Sequence, residues 1–443
     1  MAHWYRRVLF LAIPLILSNL TQPLLSTVDT ILSGHLPGAA ALGGVAVSGI
    51  FFNAVFWSFG FLRMGTTGLV AQAYGAHNHT ALRLHFLRGL LTAFTIGAIV
   101  LTLRGPLIAL AIDLLGASPE VRQNALLYCH IRIWSAPAAL ANYVILGSLL
   151  GRQRARAALA LQAAINGVNV VVALWLVMRL HWGVAGIATA TLTAEWTGLL
   201  LGLALTRPFA SVGAAPLRWR ELLDGPSLRH LFALNRDILL RTVSLVAAFA
   251  WFTRTGARAG DATLAANALL LNLQSIASYA LDGFANATEA LVGEAVGARR
   301  LADYRAVLRS STVMAFAVAA AIALVYLGLG AHLVALFTNQ EAVRQLALRY
   351  LPWAVLLPVV SVWGYQLDGI FIGATRARDL RDSMLLSLAV FLALAVVLQK
   401  YFGNHGLWCA FCCFLLMRGL TLGLRLPRIG RESFGPSLNP KSA

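Results

Sequence analysis

Six ionisable residues within long apolar stretches of this 443-residue chain are candidates for chemistry. They are Asp29, Glu195, Arg241, Asp282, Glu289 and Asp368. At the centre of a bilayer each such charge costs roughly 2.5–3.5 kcal/mol or more, so these residues are typical of proton relays and ion pathways. A carboxylate there can take up and release a proton or a hard cation. The alternative is a structural role, in which the carboxylate holds neighbouring helices together.

Asp29 is the only acidic residue in the first 112 positions, and it lies within a polar stripe. The stripe is formed by Ser18, Gln22, Ser26, Asp29 and Ser33, with spacings of 4, 4, 3 and 4 residues. This spacing places the side chains on one face of a helix. We therefore expect Asp29 to face a protein interior or a watery cavity rather than lipid.

The fifth and sixth apolar stretches supply polar groups that could complete a site around Asp29. Asn169 shares a helix face with Gln162 and Asn166, and Thr191 shares one with Glu195. Amide, hydroxyl and carboxylate groups can hydrogen-bond a carboxylate or bind a hard cation. Ordinary hydrogen bonding between helices remains the alternative, and for Glu195 both interpretations stay open.

The second half of the chain carries a more regular polar face. Its members are Asn272, Ser275, Tyr279, Asp282, Asn286 and Glu289, spaced by 3, 4, 3, 4 and 3 residues. Arg241 precedes this stretch and needs an acidic partner, because a guanidinium does not lose its proton in proteins. Asp282 or Asp368 could supply that partner, either as a fixed structural pair or as a contact that breaks during a conformational change.

The elements that position these residues are membrane helices. The chain is 59% hydrophobic and only 12% charged, whereas soluble domains contain about 25% charged residues. Apolar runs of about 20 residues, each long enough to span a bilayer, predict an all-α integral membrane protein with twelve helices. They lie near 8–33, 44–68, 89–111, 123–147, 157–178, 184–206, 235–256, 265–290, 310–331, 344–368, 383–400 and 404–424.

The formal charge of +18 reflects membrane orientation rather than nucleic-acid binding. The basic residues lie mostly in short loops, and the positive-inside rule then puts both termini in the cytoplasm. Arg63 and Arg241 fall within predicted spans rather than in loops.

A proline-rich polar connection predicts two lobes. The first lobe covers residues 1–206, a cytoplasmic linker covers 207–234, and the second lobe covers 235–443 and ends in a cytoplasmic tail. After a shift of 222 residues, six of twelve positions in Gly65–Ala76 are identical to Ala287–Ala298. Six helices per half give both halves the same topology, so we expect a pseudo-two-fold axis along the membrane normal.

Motifs for enzymatic chemistry and cofactors are not found. The chain has no Walker, catalytic-triad, zincin or Rossmann motif, which argues against an enzyme and against ATP-driven transport. The cysteines in "CAFCC" lack a histidine or carboxylate at ligand spacing, and we expect buried free thiols rather than a metal site.

Several stretches together resemble the multidrug and toxic compound extrusion (MATE) family. They include "VDTILSGHLPGAAALGGVAV", "GTTGLVAQAYGA" and "GDATLAANALLLNL". "NRDILLRT" and "LDGIFIGAT" resemble its DNA-damage-inducible protein F branch. The resemblance implies two six-helix lobes and export of cationic, amphipathic compounds in exchange for H⁺ or Na⁺.

The resemblance also implies roles for individual residues. Asp29 matches the coupling aspartate of the first helix, and Pro14 matches a proline at which that helix bends on protonation. Asn169 and Thr191 match two further residues of the first-lobe site, but Ala173 stands where the family has a second aspartate. The loss of that ligand and its charge favours H⁺ over Na⁺ and makes Asp282 or Asp368 a rival coupling residue.

The resulting hypothesis is a proton-coupled multidrug antiporter of the bacterial inner membrane, acting as a monomer on small cationic substrates by alternating access. It needs no cofactor besides the coupling ion and binds no nucleic acid. Sodium coupling is one alternative. The other is a flippase for lipid-linked precursors, which would need a basic cavity for pyrophosphate.

Overall fold

The computed structural model describes residues 2–116, 118–211 and 219–435, with the backbone alone at 22–26, 207–211 and 219. These residues form fifteen α-helices and no strand. The helices are α1 (Ala2–Gly34), α2 (Ala39–Ser58), α3 (Phe61–Gly75), α4 (His79–Thr102), α5 (Arg104–Leu115), α6 (Pro119–Arg132), α7 (Ala136–Gly151), α8 (Ala155–Leu174), α9 (Gly183–Ser211), α10 (Trp219–Leu222), α11 (Gly225–Arg258), α12 (Asp261–Gly297), α13 (Leu301–Phe337), α14 (Glu341–Gly373) and α15 (Ala377–Phe434).

Each predicted membrane span falls on helix. Within the described residues, nine helical segments are long and apolar enough to cross a bilayer, and they cover ten of the predicted spans because α15 holds two of them. The other two spans, 8–33 and 235–256, lie in α1 and α11. The all-α membrane architecture predicted from the sequence is thus confirmed. Part of the predicted linker, 212–218, and the tail after Gly435 lie outside the described residues.

Helix α15 is two helices joined at Gly403. This glycine has φ 55° and ψ −134°, a backbone conformation that side chains with a Cβ rarely adopt. The chain turns back so tightly that a Cβ on Gly406 would collide with the carbonyl oxygen of Leu398. Two glycines therefore allow the predicted eleventh and twelfth spans to follow each other with almost no loop.

The chain divides into two compact units. The N-terminal unit is Leu17–Leu231, and the C-terminal unit combines Met1–Ile16 with Phe232–Ala443. The sequence had placed all of residues 1–206 in the first lobe, whereas the first half of α1 packs within the C-terminal unit. Two contacts explain this placement of the first half of α1. Arg7 forms an ion pair with Glu294 at 2.6 Å, and Gly283 lets Ile16 approach the backbone of α12.

Helices α12 and α14 pack closely in the C-terminal unit because α14 presents small residues. Gly369 and Gly373 are four residues apart, and both are fully or nearly fully buried. A Cβ at these positions would collide with the carbonyl oxygens of Ala285 and Glu289 on α12. In a membrane, where lipid is as apolar as the side chains, such close backbone contact is a main source of helix association.

Gly369→Ala is expected to lower the stability of the C-terminal unit by roughly 1–3 kcal/mol, because the added methyl group must push two packed backbones apart. The measurement is the thermal unfolding temperature of the purified protein in detergent. Gly328→Ala on α13 is the matched control, since its Cβ would meet open space. Equal unfolding temperatures for the two variants would contradict this account of the packing.

Candidate functional site

Asp29 lies close to an arginine that the sequence analysis overlooked. Arg132, the last residue of α6, is near enough to both Asp29 and Glu195 to interact with their charges. Its Nη1 atom donates a 3.0 Å hydrogen bond to the Tyr128 hydroxyl, and its guanidinium lies 4.5 Å from the ring centre of Phe52. These contacts hold one positive charge between two carboxylates of the N-terminal unit.

A short polar relay continues from Tyr128 into α8 and α9. The Tyr128 hydroxyl lies beside that of Thr191, which accepts a 2.9 Å hydrogen bond from the Asn169 amide. All three side chains are buried, and Asn169 is fully inaccessible. The structure thus brings Asn169 and Thr191 together, as the sequence predicted, and it adds Tyr128 to the group.

Glu195 is held separately by α7. Its Oε2 atom accepts a 2.8 Å hydrogen bond from Asn142, which also donates to the Glu195 backbone carbonyl at 2.9 Å. Among the described residues, neither Glu195 nor Asp29 forms a direct ion pair with Arg132. The arginine therefore acts on both carboxylates through space, without being committed to either.

Several polar atoms at this site are buried and make no hydrogen bond within the described part of the chain. They are Asp29 Oδ1, Asn142 Oδ1, Asn169 Oδ1 and Arg132 Nε. Unmet hydrogen-bonding capacity at a buried group costs about 1–3 kcal/mol. The site is therefore one that a proton, a water molecule or a polar ligand would stabilise.

Two residues named from the family resemblance have different surroundings. Ala173, at the position of the family's second aspartate, is fully buried in the apolar core of the N-terminal unit. Pro14 lies in the first half of α1, which belongs to the C-terminal unit, and α1 is helical through it. Its bending on protonation remains a prediction.

The C-terminal unit contains a second charged cluster, centred on Asp368. This carboxylate pairs with Arg241 and also with Arg418, and Arg418 Nε donates to Asp368 Oδ1 at 3.2 Å. All three residues are more than nine-tenths buried. The sequence offered Asp282 or Asp368 as the partner of Arg241, and the direct partner is Asp368.

Asp282 completes the charge balance of this cluster. It lies within electrostatic range of Arg241 and Arg418, and of Tyr279 on its own helix. Beside it, Arg418 lies 5.5 Å from the ring centre of Tyr365. Two arginines and two aspartates thus form a group whose charges cancel.

The predicted polar stripe on α12 does not share one environment. Asn272 and Ser275 are exposed, Tyr279 and Asp282 are half-buried, and Asn286 and Glu289 are buried. In the stripe around Asp29, the side chains of Gln22 and Ser26 lie outside the described residues. Within the residues described, no three His, Cys, Asp or Glu side chains are placed to hold a metal ion.

Arg132 and Arg418 are the functional candidates that the sequence analysis missed. Both lie inside predicted spans, 123–147 and 404–424. A complete list of the basic residues within the predicted spans includes both, beside Arg63 and Arg241. Their partners could not have been read from the sequence, since Arg418 and Asp368 are 50 residues apart.

In the described part of the chain, long apolar helices with a buried charged cluster in each unit are typical of a membrane transporter. A family model described as MatE matches the chain twice, over residues 14–175 and 238–399. The chain belongs to the MatE family, and the double match agrees with the internal repeat seen in the sequence.

Two relatives show how the similarity is distributed. The chain is 46% identical over 412 residues to DNA damage-inducible protein F of Escherichia coli, covering 93% of this chain and 90% of the relative. It is 25% identical over 448 residues to a probable multidrug resistance protein NorM of Geobacillus kaustophilus, covering 97% and 96%.

Solved structures share the fold. A MOP superfamily transporter from Pyrococcus furiosus, described as having a binding pocket of reverse polarity, superimposes with a TM-score of 0.87 at 19% identity, covering 96% of each chain. An outward-facing multidrug resistance MATE family transporter gives a TM-score of 0.86 at 19% identity, again covering 96% of each chain. The chain therefore has the twelve-helix, two-lobe fold of MATE transporters.

Proposed function

We propose that this chain is a proton-coupled antiporter that exports small amphipathic cations by alternating access, with Asp29 as the coupling residue. The observation that carries the proposal is the position of Asp29. One of its carboxylate oxygens makes no hydrogen bond among the described residues, and the charge of Arg132 lies nearby. The printed names of the NorM relatives support multidrug export. We also infer a monomer in the bacterial inner membrane with both termini cytoplasmic.

The charge count at Asp29 fits the exchange of one proton for one monovalent cation. With Asp29 and Glu195 ionised and Arg132 protonated, the cluster carries a net charge of −1. A single proton or a single monovalent cation neutralises it. The proton and the cationic substrate would then compete for the same net negative charge, and exchange between them requires such competition.

The missing ligands, rather than the charge of Arg132, are the main argument against sodium, because Arg132 opposes the binding of any positive charge at Asp29, a proton included. Two unit charges of the same sign about 6 Å apart repel by about 3 kcal/mol at an effective dielectric constant of about 20. Sodium also needs several oxygen ligands, and the methyl group of Ala173 occupies the position of the missing carboxylate. A proton bound to Asp29 Oδ1 needs neither a ligand shell nor space.

The C-terminal cluster is a weaker candidate for coupling. Protonation of Asp368 would break its ion pairs with Arg241 and Arg418 and leave two buried charges without their partner. Breaking a buried pair costs about 3–5 kcal/mol. The same balance argues against the flippase alternative, because the two arginines are already neutralised by Asp368 and Asp282.

The test is uptake of a monovalent aromatic cation, such as ethidium, into proteoliposomes with an imposed ΔpH or an imposed Na⁺ gradient. We expect the wild type to follow ΔpH and to ignore Na⁺. In Arg132→Gln the cluster carries −2, so we expect a response to Na⁺ to appear. Arg104→Gln is the matched control, since Arg104 stacks on Trp134 and is not among the charges acting on Asp29. Wild-type transport driven by Na⁺ alone would contradict the proposal.

A further inference from the structure

A cavity lies in the N-terminal unit, at its predicted cytoplasmic end. It has a volume of about 280 Å³, opens to the surface and is lined by α3, α4 and the first turns of α11. Leu69 and Leu231 form apolar parts of its wall, and the polar part consists of His85, Arg88 and His230. None of these residues takes part in the Asp29 cluster.

Arg88 anchors the segment that follows the linker and still has a donor to spare. Its Nε atom donates to the carbonyl of Leu222 at 3.1 Å, and Nη2 donates to that of Glu221 at 2.5 Å. The side chain is only 6% exposed. Its Nη1 atom donates to none of the described residues, so a charged group lines the cavity with hydrogen-bonding capacity unused.

The two histidines add further donors from opposite walls. His85 and Arg88 are three residues apart on α4 and share a face. His85 lies within electrostatic range of both Arg88 and His230. Neither imidazole makes a hydrogen bond with any residue in the described ranges. Three nitrogen-bearing side chains, Arg88 buried, His85 half-buried and His230 exposed, thus line a space that none of the described residues fills.

Asp224 is an acid near Arg88, and its carboxylate is engaged by another residue. Asp224 accepts hydrogen bonds from the backbone N–H and the hydroxyl of Ser227, at 3.0 and 2.6 Å. These bonds hold the pKa of Asp224 below its ordinary value, so the carboxylate is ionised at neutral pH and stabilises the start of α11. It offsets part of the Arg88 charge but does not occupy the cavity.

We propose that this cavity binds a phosphate-bearing anion at the cytoplasmic membrane surface. Arg88 excludes a cation, while a phosphate can accept hydrogen bonds from several directions at once and so engage the donors of α4 and α11 together. Basic pockets between membrane helices on this side are suited to phosphate head groups of anionic lipids. Bound there, the anion would join the α10–α11 segment to the cytoplasmic end of α4.

The test measures the thermal unfolding temperature of the full-length protein in detergent, with added phosphatidylglycerol, phosphatidylcholine or inorganic phosphate. We expect phosphatidylglycerol to raise the unfolding temperature more than phosphatidylcholine does. An equal rise with millimolar inorganic phosphate would identify soluble phosphate as a sufficient ligand. If phosphate has no effect but phosphatidylglycerol does, the ligand is the lipid.

The informative variant is His85→Leu/His230→Leu, which removes both imidazole donors and leaves the Arg88 contacts with α10 intact. We expect it to fold and to lose the ligand-induced rise in unfolding temperature. His79→Leu is the matched control, because His79 is exposed at the same end of α4 and does not line the cavity. The proposal is overturned if neither anion stabilises the wild type, or if the double variant keeps the full rise.

Discussion

Asp29→Asn is expected to abolish export driven by a pH gradient while leaving the protein folded. Asparagine is close to a protonated aspartate in size and polarity but cannot take up or release a proton. The Arg132 charge then has only Glu195 as an acidic neighbour, and the cluster is neutral at all times. One pH unit is worth about 1.4 kcal/mol. The wild type should therefore sustain about a tenfold substrate gradient per pH unit in one-for-one exchange, and the variant none.

The measurement is the steady-state substrate gradient across proteoliposomes at a series of imposed ΔpH values. Asp113→Asn is the matched control, because Asp113 lies in α5 of the same unit and its side chain is 57% exposed. Thermal unfolding of both variants should match that of the wild type. A substrate gradient in Asp29→Asn that still tracks ΔpH would rule out Asp29 as the coupling residue and favour Asp282.

Asp368→Asn is expected to be the most destabilising single substitution in the C-terminal unit, by about 3–5 kcal/mol. It removes the acidic partner shared by Arg241 and Arg418, which are 7% and 3% exposed. Neither guanidinium can become neutral by losing a proton. The predicted observation is a large drop in the thermal unfolding temperature and in the yield of folded protein.

Two further variants separate stability from coupling at this cluster. Glu341→Gln, at the start of the same helix, is the surface control, since its side chain is 67% exposed. A triple variant that combines Arg241→Met, Asp368→Leu and Arg418→Met should recover most of the stability, because a buried ion cluster can often be exchanged for packed apolar residues. Transport by that triple variant under ΔpH would place coupling outside the cluster, whereas normal stability of Asp368→Asn would show that the ion pairs contribute little.

The helices could be predicted because membrane spans are encoded locally, in the length and polarity of each apolar run. Spacing and resemblance also pointed to Asn169 and Thr191, which lie on neighbouring helices and share a hydrogen bond, and their part in coupling stays a prediction. Contacts between distant segments were not predictable. Arg7 and Glu294 are 287 residues apart, so nothing in the sequence indicated that the first half of α1 packs in the C-terminal unit.

The environment of Asp29 shows a second reason why the site could not be predicted in full from the sequence. No carboxylate stands at position 173, so the sequence indicated that Asp29 depends on burial. In the structure Asp29 is partly buried, and it also lies within range of the charge of Arg132, which Tyr128 and the ring of Phe52 hold in place. Only the folded chain shows which helix supplies that positive charge.

The different net charges of the two clusters, −1 around Asp29 and zero around Asp368, bear on the evolution of a duplicated transporter. A repeat that carries an odd charge can bind and release one ion without breaking an internal bond. A repeat whose charges cancel has exchanged that ability for permanent pairing. Once the first copy performs the ion exchange, selection on the second can act on folding alone. The arginines around Asp368 would then be the trace of a second copy that lost ion exchange and kept a structural role.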